Sequence, residues 1–380
     1  MKILFLEYVQ TFGGARKSTI ELANRLRKNY EIEIIDIHGS CTPFLNACKE
    51  LSLPLWIVEK KDEPIILSSN IIWKKIWNLF RFFVHAFKIN IKLRFKLNQE
   101  GDCLVVVNNS KVLSYLFFKP SNVKIALFAR GWFLPQQISK KDRYLYRRLV
   151  DKYICVSEAT RYAVHSAGLA PLNQINVVQN AIDIEHYEKV QPFETGNNKL
   201  KLLFSGGFLP TKGQLVAIEI AKRLRDKGVD FEMILTGIIY KGEVSKKYYK
   251  LIRNTIVNEH LESYVSIVVD KNDVSSYFKW CDIFVHPSDT EGLPRVVMEA
   301  MACKKVVVAN AVGGVTDYIL HGFTGFLTRH NNVDDYVEYI MMLNGNKSLM
   351  ESMSTNAYNL VATCFTEKQQ MEQMNKALEY

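Results

Sequence analysis

Residues 282–302, DIFVHPSDTEGLPRVVMEAMA, form the stretch around which the rest of the chain can be arranged. The apolar run 282–285 indicates a short buried strand, and turn-forming residues follow it. Pro294 suits the first turn of a helix, because its missing N–H would have no intrahelical partner there. Free N–H groups at a helix start favour an anion. The stretch therefore predicts a strand, a polar loop and an anion-binding helix start.

Two carboxylates flank this helix start. Glu291 precedes the helix, and Glu299 lies inside it, more than one turn further on. One carboxylate can meet a sugar hydroxyl beside the anion, and the other can accept hydrogen bonds from a vicinal diol. The arrangement suggests a pocket for a nucleotide-sugar diphosphate. The alternative is an ordinary amphipathic helix with a solvated glutamate at each end, since glutamates are common in helices.

From Asp282 to Leu327 the chain resembles the donor-binding region of family 4 glycosyltransferases (glycosyl transferases group 1) of the GT-B fold. The shared pattern is a strand, P-S, E-G-x-P, E-A-M-A, a second strand, G-G and G-x-T-G-F. The resemblance implies an α/β protein with two Rossmann-like parallel-sheet domains facing a central cleft. We expect an acceptor domain at 1–190, onto which a helix at 366–380 packs back, and a nucleotide-sugar donor domain at 191–365.

Composition agrees with two globular domains. A chain of 380 residues can build two cores, and its 48% hydrophobic and 23% charged residues are ordinary values. The scattered cysteines include no C-x-x-C pair, which favours reduced thiols in a cytoplasmic protein. No His/Cys cluster has metal-ligand spacing and no D-x-D occurs, so we expect neither a metal nor a cofactor. No run is long enough for a signal peptide or a transmembrane helix.

In the first half of the chain, short apolar runs alternate with helical stretches, the pattern of a parallel sheet covered on both faces. Strands are predicted at 2–6, 31–37, 55–58, 103–107, 123–128 and 153–156. Gly13 and Gly14 follow the first strand, where glycine lets the backbone approach a phosphate, although a plain tight turn is the alternative. They match the family's G-G-A-E loop, which faces the donor diphosphate. Arg16 replaces the usual acid.

Polar residues follow two later strands of this half, at 108–110 and 130–132, where parallel sheets place ligands. Relatives in the family often carry a histidine near the Arg130 position, in contact with the transferred sugar. The resemblance therefore implies a substrate contact at Arg130 and leaves the donor sugar open. A structural salt bridge is the alternative.

The second half opens with 202–213, LLFSGGFLPTKG. In the family this segment is a strand, G-R-L and K-G, whose Arg and Lys hold the diphosphate. Lys212 matches the Lys and is predicted to stabilise the leaving group, together with Glu291 at the transferred sugar. Gly207 stands where the Arg is usual. Further predicted contacts to the donor are Gly206, Lys271 near the base, Gly292, Leu293, Pro294, Val296, and Glu299 at the ribose.

The segment 71–97 combines many aromatic residues with many Lys and Arg and contains no acid. At 100° per residue, positions 74, 81, 88, 92 and 96 form one basic stripe. The segment is either a core helix with a solvated basic edge or an interfacial helix that meets anionic headgroups. The net charge of +10 favours an anionic surface. No nucleic-acid-binding motif is present, so nucleic acid is not expected as a partner.

These observations predict a retaining, metal-independent glycosyltransferase. It would transfer a sugar from a UDP- or GDP-type donor to a glycan or lipid-linked acceptor in cell-surface polysaccharide biosynthesis. We expect a cytoplasmic location, with possible peripheral binding to the inner face of the cell membrane. Two alternatives are a non-catalytic nucleotide-sugar-binding subunit and a GT-B sugar-nucleotide epimerase, although the acid/base residues that an epimerase needs on both sides of the sugar are not evident.

Overall fold

The structure is a computed structural model that describes residues 1–61, 72–108, 110–132, 134–193, 196, 198–269 and 273–379. It divides into two compact units. The N-terminal unit comprises Met1–Val156, Thr160–Val178 and Ala377–Tyr380, and the C-terminal unit comprises Ser157–Ala159 and Gln179–Lys376. The sequence placed this boundary between 190 and 191. The observed division comes earlier because a short helix, Ile184–Lys189, packs within the C-terminal unit.

The N-terminal unit contains a seven-stranded parallel sheet in the order β3-β2-β1-β4-β5-β6-β7. Its strands are β1 Lys2–Glu7, β2 Glu31–Asp36, β3 Leu55–Ile57, β4 Cys103–Val107, β5 Val123–Ala129, β6 Lys152–Cys155 and β7 Ile175–Val177. The helices in this part of the chain are α1 Gly14–Leu26, α2 Thr42–Glu50, α3 Ile72–Gln99, α4 Ser110–Leu113, α5 Lys140–Leu149 and α6 Glu158–Ser166.

The C-terminal unit contains a six-stranded parallel sheet in the order β10-β9-β8-β11-β12-β13. Its strands are β8 Leu200–Ser205, β9 Phe231–Gly237, β10 Val265–Val269, β11 Ile283–His286, β12 Val306–Asn310 and β13 Phe326–Thr328. The remaining helices are α7 Ile184–Lys189, α8 Gln214–Asp226, α9 Glu243–Asn258, α10 Ser275–Trp280, α11 Arg295–Ala302, α12 Val333–Gly345, α13 Lys347–Cys364 and α14 Glu367–Leu378.

The predicted strands of the first half are all present, each ending within a residue or two of its prediction. Sequence reasoning missed β7, whose three residues include only one buried side chain. Most of α14, up to Lys376, belongs to the C-terminal unit, and residues 377–380 belong to the N-terminal unit, where Lys152 donates hydrogen bonds to the carbonyl oxygens of Ala377 and Glu379.

Each sheet has its own hydrophobic core. Every residue of β4 and β12 is buried, as expected for central strands of a parallel sheet covered by helices on both faces. Helix α3 adds Ala86, Ile89 and Leu93 to the N-terminal core. Fully burying one such leucine or isoleucine contributes about 1.5–3 kcal/mol.

Both sheets place a topological switch point between two central strands. In the N-terminal unit β1 lies beside β4, and in the C-terminal unit β8 lies beside β11, with the chain progressing outward in opposite directions on the two sides. Open α/β sheets bind ligands outside the carboxyl ends of the strands at this point. We therefore expect ligand sites at the loops that follow β1, β4, β8 and β11.

Candidate functional site

An ion pair lies at the switch point of the C-terminal sheet. Lys212 ends a 3₁₀ turn that follows β8, and Glu291 lies in the loop that follows β11. The Lys212 Nζ is 2.7 Å from Glu291 Oε1. His286, the last residue of β11, places its Nε2 3.4 Å from the same oxygen. The structure thus brings together the two residues predicted to be catalytic and adds a histidine that was not predicted.

Glu291 is held in its ionised form. Its side chain is only 12% exposed, and this burial alone would raise the pKa of the carboxyl. The charge of Lys212 and the interaction with His286 outweigh burial, so that the pKa of Glu291 lies well below its ordinary value. An opposite charge this close favours the charged form of a carboxyl. At neutral pH the site therefore contains a carboxylate and an ammonium in direct contact.

Backbone contacts fix the two loops against each other. Gly213 follows Lys212 with φ +83°, and a Cβ there would lie 2.0 Å from the carbonyl oxygen of Pro287. Asp289 N donates a 2.9 Å hydrogen bond to Thr211 O. Only glycine permits both the left-handed backbone and the close approach. The distance between Lys212 and Glu291 is therefore set by rigid backbone.

The segment between Glu291 and α11 is held by its carbonyl groups. Three consecutive carbonyl oxygens each accept a hydrogen bond from a side chain: Gly292 from Ser157 Oγ (2.9 Å), Leu293 from Asn180 Nδ2 (3.0 Å) and Pro294 from Tyr318 Oη (2.9 Å). These bonds are buried. A buried carbonyl group without a hydrogen bond would lower the stability of the protein, and each of these bonds prevents that loss. Gly314 packs against the same loop, because a Cβ there would lie 1.9 Å from the Gly292 oxygen.

Helix α11 begins at Arg295, with Pro294 as its N-cap, and among the described residues no side chain caps it. The first-turn N–H groups, with Val296 half-buried among them, are therefore not occupied by a capping oxygen. Glu299 is 9% exposed and lies 3.7 Å from the Arg295 Nε. Burial, then the charge of Glu299 and a hydrogen bond to it, raise the pKa of Tyr187. Glu299 thus already has protein partners.

Gly206 and Gly207 form the turn that directly follows β8. The Gln214 Nε2, at the start of α8, donates to the carbonyl oxygens of Gly206 (3.3 Å) and Gly207 (2.9 Å). Gln214 is completely buried, and its two hydrogen bonds hold the Gly206–Gly207 turn in place. Lys271, predicted near the base, lies outside the described residues.

The predicted residues of the N-terminal unit cluster at the other switch point. Gly13 is the N-cap of α1, directly before Gly14. Arg130 donates from Nε to Asn108 Oδ1 at 3.0 Å, and its guanidinium lies 4.0 Å from the centre of the Phe128 ring. These two contacts orient the Arg130 side chain at the end of β5, and the substrate contact predicted for it stays a prediction.

Glu7 is the centre of that cluster. It is fully buried at the end of β1, it accepts a hydrogen bond from Asn108, and its Oε2 is 3.3 Å from the Nε of Arg16. Burial raises the pKa of Glu7, and Arg16, Asn108 and Arg130 only partly oppose this. Within the described residues, no group of three or more His, Cys, Asp or Glu side chains in either unit could hold a metal ion.

Sequence reasoning did not identify the side chains that hold the site. His286 stood in the quoted stretch at the end of its strand and could have been selected as a polar residue at a strand's carboxyl end. Ser157 and Asn180 lie in segments V-S-E and N-A-I-D far from the quoted stretch in sequence. Nothing in their spacing indicates that they contact Gly292 and Leu293, since only the fold brings them there.

Comparisons with known proteins agree with this geometry. Residues 187–360 match the family model described as glycosyl transferases group 1. An uncharacterized glycosyltransferase of Methanocaldococcus jannaschii is 31% identical over 223 residues, which span 57% of this chain and 57% of that protein. An uncharacterized glycosyltransferase of Haemophilus influenzae is 27% identical over 357 residues, 92% of each chain. From 187 to 360 the chain is therefore similar to the group 1 glycosyltransferases.

Solved structures extend the likeness in fold to the whole chain. The crystal structure of HepE from Anabaena, in complex with UDP-glucose, superposes with a TM-score of 0.82 at 22% identity and covers 100% of this chain and 99% of HepE. At that identity the likeness concerns the fold alone. With two parallel-sheet Rossmann-like units, the predicted GT-B fold is confirmed.

Proposed function

We propose that this protein is a group 1 glycosyltransferase, and that it is a retaining, metal-independent enzyme of family 4. It transfers a sugar from a nucleoside-diphosphate donor, of UDP or GDP type, to a hydroxyl of a glycan or lipid-linked acceptor. The observation that carries the proposal is the ion pair between Lys212 and Glu291 at the switch point of the C-terminal sheet. A fixed cation at this position suits a diphosphate leaving group.

The chemistry assigned to the pair follows from its charges. As the bond to the sugar breaks, negative charge grows on the diphosphate and positive charge grows on the sugar. Lys212 stabilises the first and Glu291, held ionised, stabilises the second. Charges that are fixed before the reaction need no reorganisation during it, which makes them effective in catalysis. In this account the arriving diphosphate takes over part of the Lys212 interaction and releases Glu291 toward the sugar.

The helix start supplies the second part of the proposed donor site. The uncapped first turn of α11 offers N–H groups to a phosphate, and the three anchored carbonyl groups before it keep that turn in place. Glu299, one turn along, is proposed to accept hydrogen bonds from the ribose diol. Because Arg295 and Tyr187 already contact Glu299, its carboxylate is pre-oriented rather than free to rotate.

The experiment uses the full-length protein with nucleotides and nucleotide sugars. We expect UDP or GDP to raise the melting temperature, since a ligand bound only by the native state stabilises it. The matching nucleotide sugar should then be hydrolysed or transferred in excess EDTA. Binding without turnover would support the non-catalytic subunit, and a new epimer of the donor would support the epimerase. Activity lost in EDTA and restored by Mn²⁺ would contradict metal independence.

The proposed membrane partner depends on helix α3. Its apolar residues outside the core form a long exposed face, whose most exposed aromatic side chains are Trp73 (79%), Phe95 (67%), Trp77 (59%), Phe80 (57%) and Phe87 (57%). Among the described residues no helix is long and apolar enough to cross a bilayer. An exposed apolar face on an amphipathic helix suits the boundary between headgroups and acyl chains. We therefore propose that α3 lies on a lipid surface.

The structure changes which face of α3 carries this proposal. Much of the predicted basic stripe faces acidic residues, because Lys88 and Lys92 pair with Glu59 and Lys96 pairs with Glu33 and Glu100. These lysines have less charge to offer to headgroups. The aromatic face is therefore the proposed contact, and the exposed basic residues beside it, Lys74, Arg81 and Arg94, provide attraction to anionic lipid.

Liposome co-sedimentation distinguishes the two faces. Trp73→Ser with Trp77→Ser should abolish binding to vesicles of anionic lipid, whereas Lys88→Gln should leave most of it. Tyr162→Ser is the control, since Tyr162 is an exposed aromatic residue (55%) on another helix. Co-sedimentation unchanged by the tryptophan substitutions would remove α3 as the membrane contact, without affecting the proposed sugar transfer.

A further inference from the structure

The Gly206–Gly207 turn is covered by one aromatic side chain. A Cβ built on Gly207 would lie 2.6 Å from the Cε2 atom and 2.6 Å from the hydroxyl oxygen of Tyr240. A side chain at 207 would therefore have to displace the Tyr240 ring, although the Gly207 backbone itself is not left-handed. The phenol end of Tyr240 occupies the place where any side chain at 207 would begin.

Tyr240 is positioned by a clamp between two loops. It follows β9, and its backbone N donates to Ser245 Oγ at 3.0 Å, while Ser245 Oγ donates to Phe208 O at 2.8 Å. Ser245 is 1% exposed. Phe208 N also donates to Ile238 O at 3.0 Å. The loop after β9 is thus bound to the turn after β8 beside Gly207, so the backbone of Tyr240 has a defined place.

The hydroxyl of Tyr240 lies over the backbone of the Gly206–Gly207 turn. Tyr240 is half-buried, and within the described part of the chain its hydroxyl makes no hydrogen bond. A Cβ on Gly206, the other residue of the turn, would lie 3.8 Å from the Cβ of Lys212. The Tyr240 hydroxyl therefore lies over the turn that follows β8, and Lys212 ends the 3₁₀ turn that comes next, at the edge of the sheet where such sheets bind ligands.

We propose that Tyr240 is a donor-binding residue whose hydroxyl donates a hydrogen bond to the diphosphate of the nucleotide sugar. The proposal rests on the proposed function of this site and adds a residue to it. A neutral phenol supplies direction without charge, so Lys212 remains the main source of positive charge on this turn. Gly207 serves this arrangement by admitting the phenol.

Binding measurements on the nucleoside, its monophosphate and its diphosphate test the proposal, in the uridine or guanosine series according to which diphosphate binds. Tyr240→Phe keeps the ring and removes only the hydroxyl. It should weaken diphosphate binding roughly tenfold, the value expected for one hydrogen bond to a charged group, and leave nucleoside affinity unchanged. Tyr249→Phe is the matched control, since Tyr249 packs on Phe208 and is not assigned to the site.

A double-mutant cycle tests the role of Gly207. Gly207→Ala should weaken diphosphate binding by displacing the phenol. In the Tyr240→Phe background, where no hydroxyl remains to displace, the same substitution should have little further effect. Melting temperatures without ligand verify that each variant is folded. Fully additive effects of the two substitutions would show that Gly207 does not act through Tyr240 and would overturn that part of the proposal.

The outcomes separate this proposal from the proposed function. If the wild-type protein binds no nucleoside diphosphate, the proposed function fails. If wild-type binding is present and Lys212→Met weakens it, while Tyr240→Phe binds the diphosphate as tightly as wild type, only the role of Tyr240 is refuted. A loss of nucleoside and diphosphate affinity by the same factor in Tyr240→Phe would mean a contact to the nucleoside instead of the diphosphate, and would also refute it.

Discussion

The two sheets place a glutamate at the same topological position with opposite electrostatic results. Glu7 ends β1 at the switch point of the N-terminal sheet, and Glu291 follows β11 at the switch point of the C-terminal sheet. Both are buried or nearly so. Burial raises the pKa of Glu7 above its ordinary value, whereas Lys212 and His286 bring the pKa of Glu291 well below it.

The difference lies in the nearest donors. Glu291 has an ammonium at 2.7 Å, while Glu7 has a guanidinium nitrogen at 3.3 Å and an amide. Arg130, the second cation near Glu7, donates its hydrogen bond to Asn108 instead. Burial alone therefore does not determine the charge of a carboxyl. The nearest cation contributes as well, and of these two glutamates Glu291 is the one held ionised in direct contact with a cation.

The largest expected effect comes from removing the cation beside each glutamate. Lys212→Met leaves the Glu291 carboxylate buried beside an apolar chain, and we expect a loss of about 2–3 kcal/mol in the free energy of unfolding at pH 7. Arg16→Met should cost less than about 1 kcal/mol, because burial already favours the neutral form of Glu7. Urea unfolding of both variants measures the difference.

The same two variants also separate stability from function. Lys212→Met should reduce sugar transfer strongly, by about a hundredfold or more, because a charged partner of the diphosphate is lost. The comparison fails if Arg16→Met destabilises the protein as much as Lys212→Met, since both glutamates would then depend equally on their cations.

The second effect is the dependence of stability on pH. Because the pKa of Glu291 is lowered by folding, its contribution is present above the unfolded value of about 4.3 and is lost as the pH falls below it. The melting temperature of the wild-type protein should therefore decrease as the pH is lowered from 6 to 3, and the melting temperature of Glu291→Gln should decrease less steeply. Calorimetry over this range measures both slopes, and identical slopes would contradict the low pKa.

The third effect concerns how each glutamate is held. Glu7 is on a strand, whereas Glu291 lies in a loop. The position of that loop depends on hydrogen bonds from side chains elsewhere in the C-terminal unit. Tyr318→Phe removes the hydroxyl that donates to Pro294 O and should cost about 1 kcal/mol. Tyr318→Phe should also lower kcat severalfold, while the dependence of the unfolding free energy on urea concentration should change little. Tyr153→Phe, a buried tyrosine of β6 in the other unit, is the control and should leave kcat unchanged.

The fold could be predicted from sequence because its signals are local. Buried runs such as 103–107 and 283–286 indicate strands by themselves. Glu291 was selected because it precedes a helix start after such a run, whereas Lys212 was selected because it matches the family's K-G segment. Their mutual distance was not predictable. It depends on the close approach of Gly213 to Pro287, which joins two loops that are distant in sequence.

Two further features show why the rest of the site escaped prediction. The glycine at 207 indicated a missing cation, but the sequence gives no reason to expect that Tyr240 lies over it, since the two residues are separated by α8 and β9. The basic stripe of α3 was recognised correctly as a stripe. The acids that face it, Glu59 and Glu33, lie on other segments of the chain, so its partial neutralisation is a tertiary effect.

The smallest effect is expected for Glu7→Gln, and it has the opposite sign from the effect of Glu291→Gln. The raised pKa means that folding favours the protonated form of Glu7, so its contribution to stability is lost as the pH rises through the folded pKa. A glutamine is neutral at every pH and keeps an oxygen for the Asn108 amide. Arg16, partly exposed, can turn toward water. At pH 8 the free energy of unfolding of Glu7→Gln should therefore exceed that of the wild-type protein, by less than about 1 kcal/mol. At pH 4 this advantage of the variant should be smaller. A variant that is less stable than wild type at pH 8 and equal to it at pH 4 would show that Glu7 is ionised and paired, which would erase the contrast with Glu291.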